Sequence, residues 1–142
     1  MLAAPIRVYI VEDDDETRER FAAALKADPR ILLAGTAANG GAALFALATV
    51  KPDVLLVDLG LPDMEGREVI RFAAERLPEC ETMVITVFGD EAHVLSSIEA
   101  GAKGYILKDS GREEIVGHVL ELRAGGSPIS PVIARQLLLR LR

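Results

Sequence analysis

The sequence predicts an alternating α/β domain: a five-stranded parallel sheet, doubly wound with helices on both faces, followed by a short C-terminal helix. Three observations predict it. Five short β-rich apolar runs alternate strictly with five longer stretches of helical spacing. The runs are apolar throughout, as strands covered on both sides are. The 142 residues are 50% hydrophobic and 27% charged, which suits one domain with a buried core.

The runs lie at residues 6–11, 31–34, 54–57, 83–86 and 104–107, too short for helices. The first helical stretch, 15–27, sets Phe21 and Leu25 on one face with Arg18, Glu19 and Lys26 off it, and Pro29 closes it. The second, 41–50, carries Leu44, Phe45, Leu47 and Ala48. The third, 67–77, stops before Pro78. The fourth, 91–100, has Asp90 as its expected N-cap and Gly101 as its expected terminator. The fifth, 112–124, is expected to be capped by Ser110 and ended by Gly125-Gly126. Beyond them, Ser127-Pro128-Ile129-Ser130-Pro131 reads as a linker, with Ser130 capping and Pro131 opening a helix at 132–142. Leu137-Leu138-Leu139 reads either as an amphipathic contact for a partner or as a fraying linker.

Composition excludes several classes. Disorder needs low hydrophobicity and high net charge. Acids outnumber Lys plus Arg by 22 to 16, and a net charge of −6 makes a poor unaided ligand for nucleic acid. No apolar run approaches the ~18 residues of a membrane span. The start Met1-Leu2-Ala3-Ala4-Pro5 lacks a signal peptide's basic region, so the expectation is a cytoplasmic protein. One cysteine, Cys80, excludes an internal disulfide framework, and without a CxxC partner it carries no redox motif. His93 and His118 fall within helical stretches, where solvated positions are expected.

In open parallel sheets, ligands bind beyond the carboxyl ends of the strands. The first run ends in five acids, Glu12-Asp13-Asp14-Asp15-Glu16. The third ends in Asp58, the fourth in Thr86, and Lys108 follows the fifth. Crowded carboxylates repel, and they become tolerable around a hard divalent cation. For Asp14, Asp15 and Glu16 the simpler reading is a solvated helix start favoured by the helix dipole. Asp58 ends a buried run and needs a partner. With a metal beside it, Asp58 can act as a nucleophile toward a phosphoryl group, with Lys108 and Thr86 placed for its oxygens.

These residues resemble the receiver domain of bacterial two-component response regulators. Four segments carry the resemblance: Val8-Tyr9-Ile10-Val11-Glu12-Asp13-Asp14, Asp58-Leu59-Gly60-Leu61-Pro62-Asp63-Met64-Glu65-Gly66, Val84-Ile85-Thr86, and Gly101-Ala102-Lys103-Gly104-Tyr105-Ile106-Leu107-Lys108-Asp109. The resemblance implies a flavodoxin-like sheet of order 2-1-3-4-5, with residues 1–125 as the receiver and 126–142 as a linker. It implies that Asp58 accepts a phosphoryl group from a sensor histidine kinase, and that Asp13, Asp58, the Gly60 carbonyl and Glu12 (through water) hold Mg²⁺. Lys108 and Thr86 would bind phosphoryl oxygens. Tyr105 would be the switch aromatic, and the fourth helix, fifth strand and fifth helix the surface that reports the switch. The implied activity is self-phosphotransfer with slow autodephosphorylation, without the turnover of an enzyme.

Gly60 and Phe88 depart from the commonest receiver pattern by carrying no polar group, and Val87 with Phe88 is expected to shield the acyl phosphate. Asp109 replaces the proline that often follows the lysine. The Leu107-Lys108-Asp109 and Thr86-Val87-Phe88 forms and the tail resemble the LuxR/NarL-type subfamily, whose C-terminal helix-turn-helix binds DNA. DNA binding would then reside in a module beyond these residues, with a homodimer on phosphorylation as a further expectation; a free-standing receiver is the alternative. Two rivals fare worse. A phosphatase of the haloacid dehalogenase class wants a second Asp where Gly60 stands. A nucleotide-binding module wants phosphate-binding N–H groups where Glu12–Glu16 would repel it.

Overall fold

A computed structural model describes residues 3–142; the part of the N-terminal reading that falls on Met1 and Leu2 lies outside them. The order is β1 (Ile6–Val11), α1 (Asp15–Lys26), β2 (Ile31–Ala37), α2 (Gly40–Val50), β3 (Val54–Asp58), α3 (Gly66–Arg76), β4 (Glu81–Thr86), α4 (Glu91–Ala100), β5 (Gly104–Leu107), α5 (Arg112–Arg123) and α6 (Pro131–Arg140). All strand pairs are parallel, in the order β2-β1-β3-β4-β5.

The period-two alternation of the strands builds two cores. On one face Val8, Ile10, Val54, Leu56, Met83, Ile85 and Ile106 meet Phe21 and Leu25 of α1 and Ile115, Val119 and Leu122 of α5. On the other, Tyr9, Val11, Leu55, Val57 and Val84 meet Leu47 of α2 and Val69, Ile70 and Ala73 of α3. Every residue of the central strand β3 is buried, Asp58 included.

Two strands run longer than expected. β2 continues from Ala34 to Ala37 across a register shift opposite Val8 and Tyr9. Gly35 permits it, because a Cβ there would sit 2.8 Å from the Tyr9 ring. β4 begins at Glu81, where polar Glu81 and Thr82 hid it from hydrophobicity.

Two caps differ from expectation. Gly111 occupies the cap position of α5, while Ser110 is buried in the preceding turn and donates its N–H to the Leu107 carbonyl. Asp90 occupies the α4 cap position without a capping bond, its carboxylate engaged by His93 Nδ1 at 2.5 Å. Ser130 caps α6 as expected, accepting from the Ile133 N–H at 3.2 Å. His118 is half-buried, its Nδ1 2.7 Å from the Glu114 carbonyl oxygen. Cys80 is buried, and burial with the nearby Asp53 and Glu81 pushes its thiol up to about 12, which leaves it inert near neutrality.

Gly66 opens α3 directly beneath the end of β3, where a Cβ would lie 2.3 Å from the Asp58 carbonyl oxygen. Only a glycine lets the α3 backbone approach so closely. Gly66→Ala is expected to lower unfolding stability by about 1–3 kcal/mol, measured by urea denaturation. An unchanged midpoint would show that this packing yields without cost.

Candidate functional site

The register of three parallel strands assembles the site. Val11 lies opposite Val57, so Glu12 and Asp13 emerge beside Asp58. Asp58 pairs with Ile85, Thr86 with Leu107, and the Lys108 N–H donates to the Thr86 carbonyl at 2.8 Å. The strand order reverses between β1 and β3, so the groups collect at the crevice that open α/β sheets offer to ligands.

Carboxylate oxygens of Glu12, Asp13 and Asp58 lie within 4.8 Å of one another. Glu12 and Asp58 are buried, whereas Asp13 is exposed and opens the cluster to solvent. Lys108 Nζ stands 3.3 Å from Asp58 Oδ2 and 3.6 Å from Glu12 Oε1. The Gly60 N–H donates to Asp58 Oδ1 at 3.2 Å.

One ammonium cannot balance three carboxylates. Burial, then the hydrogen bond and charge of Asp58, push the Glu12 carboxyl up to about 8. Burial works in the same direction on Asp58. Hydrogen bonds with Glu12 and Asp13, the Gly60 N–H and the Lys108 charge outweigh it and hold Asp58 below the usual carboxylate range. Burial weakens the Lys108 charge, but Asp58 and Glu12 more than restore it and raise its pKa.

Glu12 Oε1 is buried and has no hydrogen-bond partner among the described residues. An orphaned buried oxygen is costly unless something positive meets it. The set is all oxygen, which suits a hard divalent cation such as Mg²⁺ over a softer metal. The residues present therefore fit such an ion.

Thr86 is buried, and its hydroxyl lies 3.5 Å from the Val87 carbonyl and 3.5 Å from Asp90 Oδ2. Tyr105 is half-buried on the α4 side, packed near Val94, Leu95 and Ile133. Val87 and Phe88 are 55% and 88% exposed. They do not shield the pocket, because the turn after β4 carries them outward into solvent. Asp14 caps α1 by accepting from the Thr17 N–H and hydroxyl, and Asp15 pairs with Arg18 at 2.5 Å, so these acids serve the helix start.

Sequence reasoning missed Arg20. Its guanidinium bonds the Lys108 and Ser110 carbonyls and ties α1 to the loop that carries the site lysine. A partner nearly 90 positions away leaves no local signal. Asp90 was read only as a cap, and its contact with Thr86 depends on the path of the loop after β4.

The profile of the family described as response regulator receiver domain matches residues 8–120. Over 133 residues the chain is 32% identical to the transcriptional regulatory protein LnrK of Bacillus subtilis, covering 94% of this chain and 60% of that protein. Over 137 residues it is 31% identical to the DNA-binding transcriptional activator DevR/DosR of Mycobacterium tuberculosis, covering 96% and 63%. The chain thus spans less than two thirds of the length of these curated relatives. The signal receiver domain of NarL from Mycobacterium tuberculosis superposes with a TM-score of 0.81 at 32% identity, covering 87% of this chain and 99% of that one. A LuxR-family two-component response regulator from Aurantimonas superposes at 0.84 with 28% identity, covering 98% and 100%. No helix among the described residues is long and apolar enough to cross a membrane. Strand order, the acidic crevice and the matched profile lead to one assignment: the chain belongs to the response regulator receiver domain family of two-component signalling.

Proposed function

We propose that Asp58 accepts a phosphoryl group from the phosphohistidine of a sensor histidine kinase in a Mg²⁺-dependent transfer, and that the modification switches the α4–β5–α5 face. The reading rests on one observation: three carboxyl groups and Lys108 converge on one crevice in which a buried Glu12 oxygen makes no close hydrogen bond among the described residues. Residues 1–125 form the phosphoacceptor unit and 126–142 the linker. In the cytoplasm, the switch would act through homodimer formation and through a DNA-binding module of the parent protein.

Asp58 is ionised at neutral pH and attacks the donor phosphorus through a carboxylate oxygen. The O–P bond forms as the P–N bond breaks, and the departing imidazole takes up a proton. Asp13 and Asp58, with the Gly60 carbonyl and Glu12 through water, would hold Mg²⁺, which when bound neutralises charge developing on the phosphoryl oxygens. Lys108 exchanges its Asp58 partner for a phosphoryl oxygen. The Thr86 hydroxyl leaves Val87 and Asp90 to reach another, and Tyr105 follows it, a shift between two arrangements that bind the modification differently.

Incubation with acetyl phosphate and Mg²⁺ is expected to add one phosphoryl group by intact mass. Asp58→Asn or a chelator should abolish the addition, and modification that survives either would refute the mechanism. A second expectation concerns pH. Glu12 holds its proton to about pH 8 when folded but releases it near 4.5 when unfolded, so without metal its contribution to stability declines as pH rises across that window. Thermal unfolding of wild type compared with Glu12→Gln should show this decline, and saturating Mg²⁺ should flatten it by displacing the proton. A wild-type slope no steeper than that of Glu12→Gln would contradict it. A third concerns lifetime. A Cβ at Gly60 would meet no atom within 4 Å, so Gly60→Asn adds a water-orienting amide beside Asp58 without crowding. Loss of phosphate after the donor is quenched should accelerate several-fold in this variant; an unchanged rate would show that water access, and not its orientation, limits hydrolysis.

A further inference from the structure

The α4 and β5 part of the face expected to report the switch is covered by the chain's own C-terminal helix and the linker before it. Ile133 of α6 is 1% exposed and packs with Val94 and Leu95 of α4, with Tyr105, Ile98, Ile129 and Leu137 around them. Arg140 of α6 pairs with Glu99 of α4. The linker also covers the free edge of β5, where the Tyr105 N–H donates to the Pro128 carbonyl at 3.0 Å. Gly104 permits this approach, since the three atoms nearest a Cβ there all belong to Pro128, the closest at 2.8 Å.

A cavity of about 330 Å³ separates α6 from the Thr86 loop, lined by Thr86, Phe88, Asp90, Tyr105, Val132 and Ile133 among others. The seated α6 therefore coexists with a Thr86 hydroxyl turned toward Asp90 and Val87. Movement of Thr86 toward Asp58 reshapes the wall of this cavity, and Tyr105 belongs both to that wall and to the α6 seat.

We propose that the α4–β5 face is the docking surface for α6, a strap that holds the Thr86-outward arrangement and is released when Asp58 carries a phosphoryl group. This rests on the phosphoacceptor reading above. The sensed variable is contact area: docking buries Ile133 and orders the linker on the β5 edge, and both losses oppose the switched arrangement. Coupling between two sites is reciprocal in equilibrium binding. Loss of the docked strap must therefore tighten binding at the Asp58 pocket, up to the factor by which modification there weakens docking.

The test uses the intact chain, with hydrogen exchange of the amides of residues 131–140 read by mass spectrometry. Phosphorylation by acetyl phosphate, or beryllofluoride with Mg²⁺, should accelerate their exchange by about fivefold or more. Ile133→Ser and the steric wedge Gly104→Ala should speed exchange before any modification and tighten beryllofluoride binding. Arg140→Glu should act in the same direction, and adding Glu99→Arg should restore protection, which keeps the test available should Ile133→Ser fail to fold. Stoichiometric phosphorylation with unchanged α6 protection would overturn the strap and leave the phosphoacceptor reading standing. Absence of any modification by either reagent would overturn both.

Discussion

Three carboxyl groups share a pocket in which, among the described residues, one lysine ammonium faces them, and the rest of the site is organised around that imbalance. Two of the acids are buried, so water cannot screen their repulsion. Glu12 responds by holding a proton to about pH 8, while Asp58 stays ionised through hydrogen bonds with Glu12 and Asp13, the Gly60 N–H and Lys108. The unfavourable electrostatics are confined to one rim of the sheet, and apolar packing on both faces supplies the stability that tolerates them. Glu12 Oε1 makes no close hydrogen bond among the described residues and meets the Lys108 ammonium at 3.6 Å, so the oxygen cluster fits a further cation.

The sheet makes that concentration possible. Parallel strands bring all their carboxyl ends to one edge, and register then decides which residues meet. Helices on both faces bury β3 to its last residue, so Asp58 sits at the boundary between core and crevice. The close approach of α3 to the Asp58 carbonyl fixes the loop on one side. Arg20 of α1 holds the Lys108 loop on the other. Opposed charges are thus kept near each other by backbone contacts, which leaves the side chains free to exchange partners.

The C-terminal helix extends the same logic to the surface. It lies against α4 and the edge of β5, and its buried Ile133 shares a cluster with Tyr105. Its remaining leucines divide: Leu137 turns toward α4, while Leu138 and Leu139 remain exposed. The leucine run thus resolves as a contact within the chain on one side of the helix and an apolar stripe on the other.

The order of elements was legible in the sequence because periods of two and of about 3.6 residues follow from backbone geometry and leave their mark in apolar spacing. Glu12, Asp13, Asp58, Thr86 and Lys108 were legible because they stand where apolar runs stop. Polar strand ends at Glu81 and past Gly35 were not, since hydrophobicity carries no hydrogen-bond information. Nor were the backbone cap at Gly111, the reach of Arg20 to a loop nearly 90 positions away, or the outward course of Phe88. Local chain chemistry determined which strands and helices form and which acids lie at strand ends. Only tertiary packing decided how close those acids come, which of them holds a proton and where the last helix rests, because charge interaction and burial depend on distances between segments that sequence leaves unspecified.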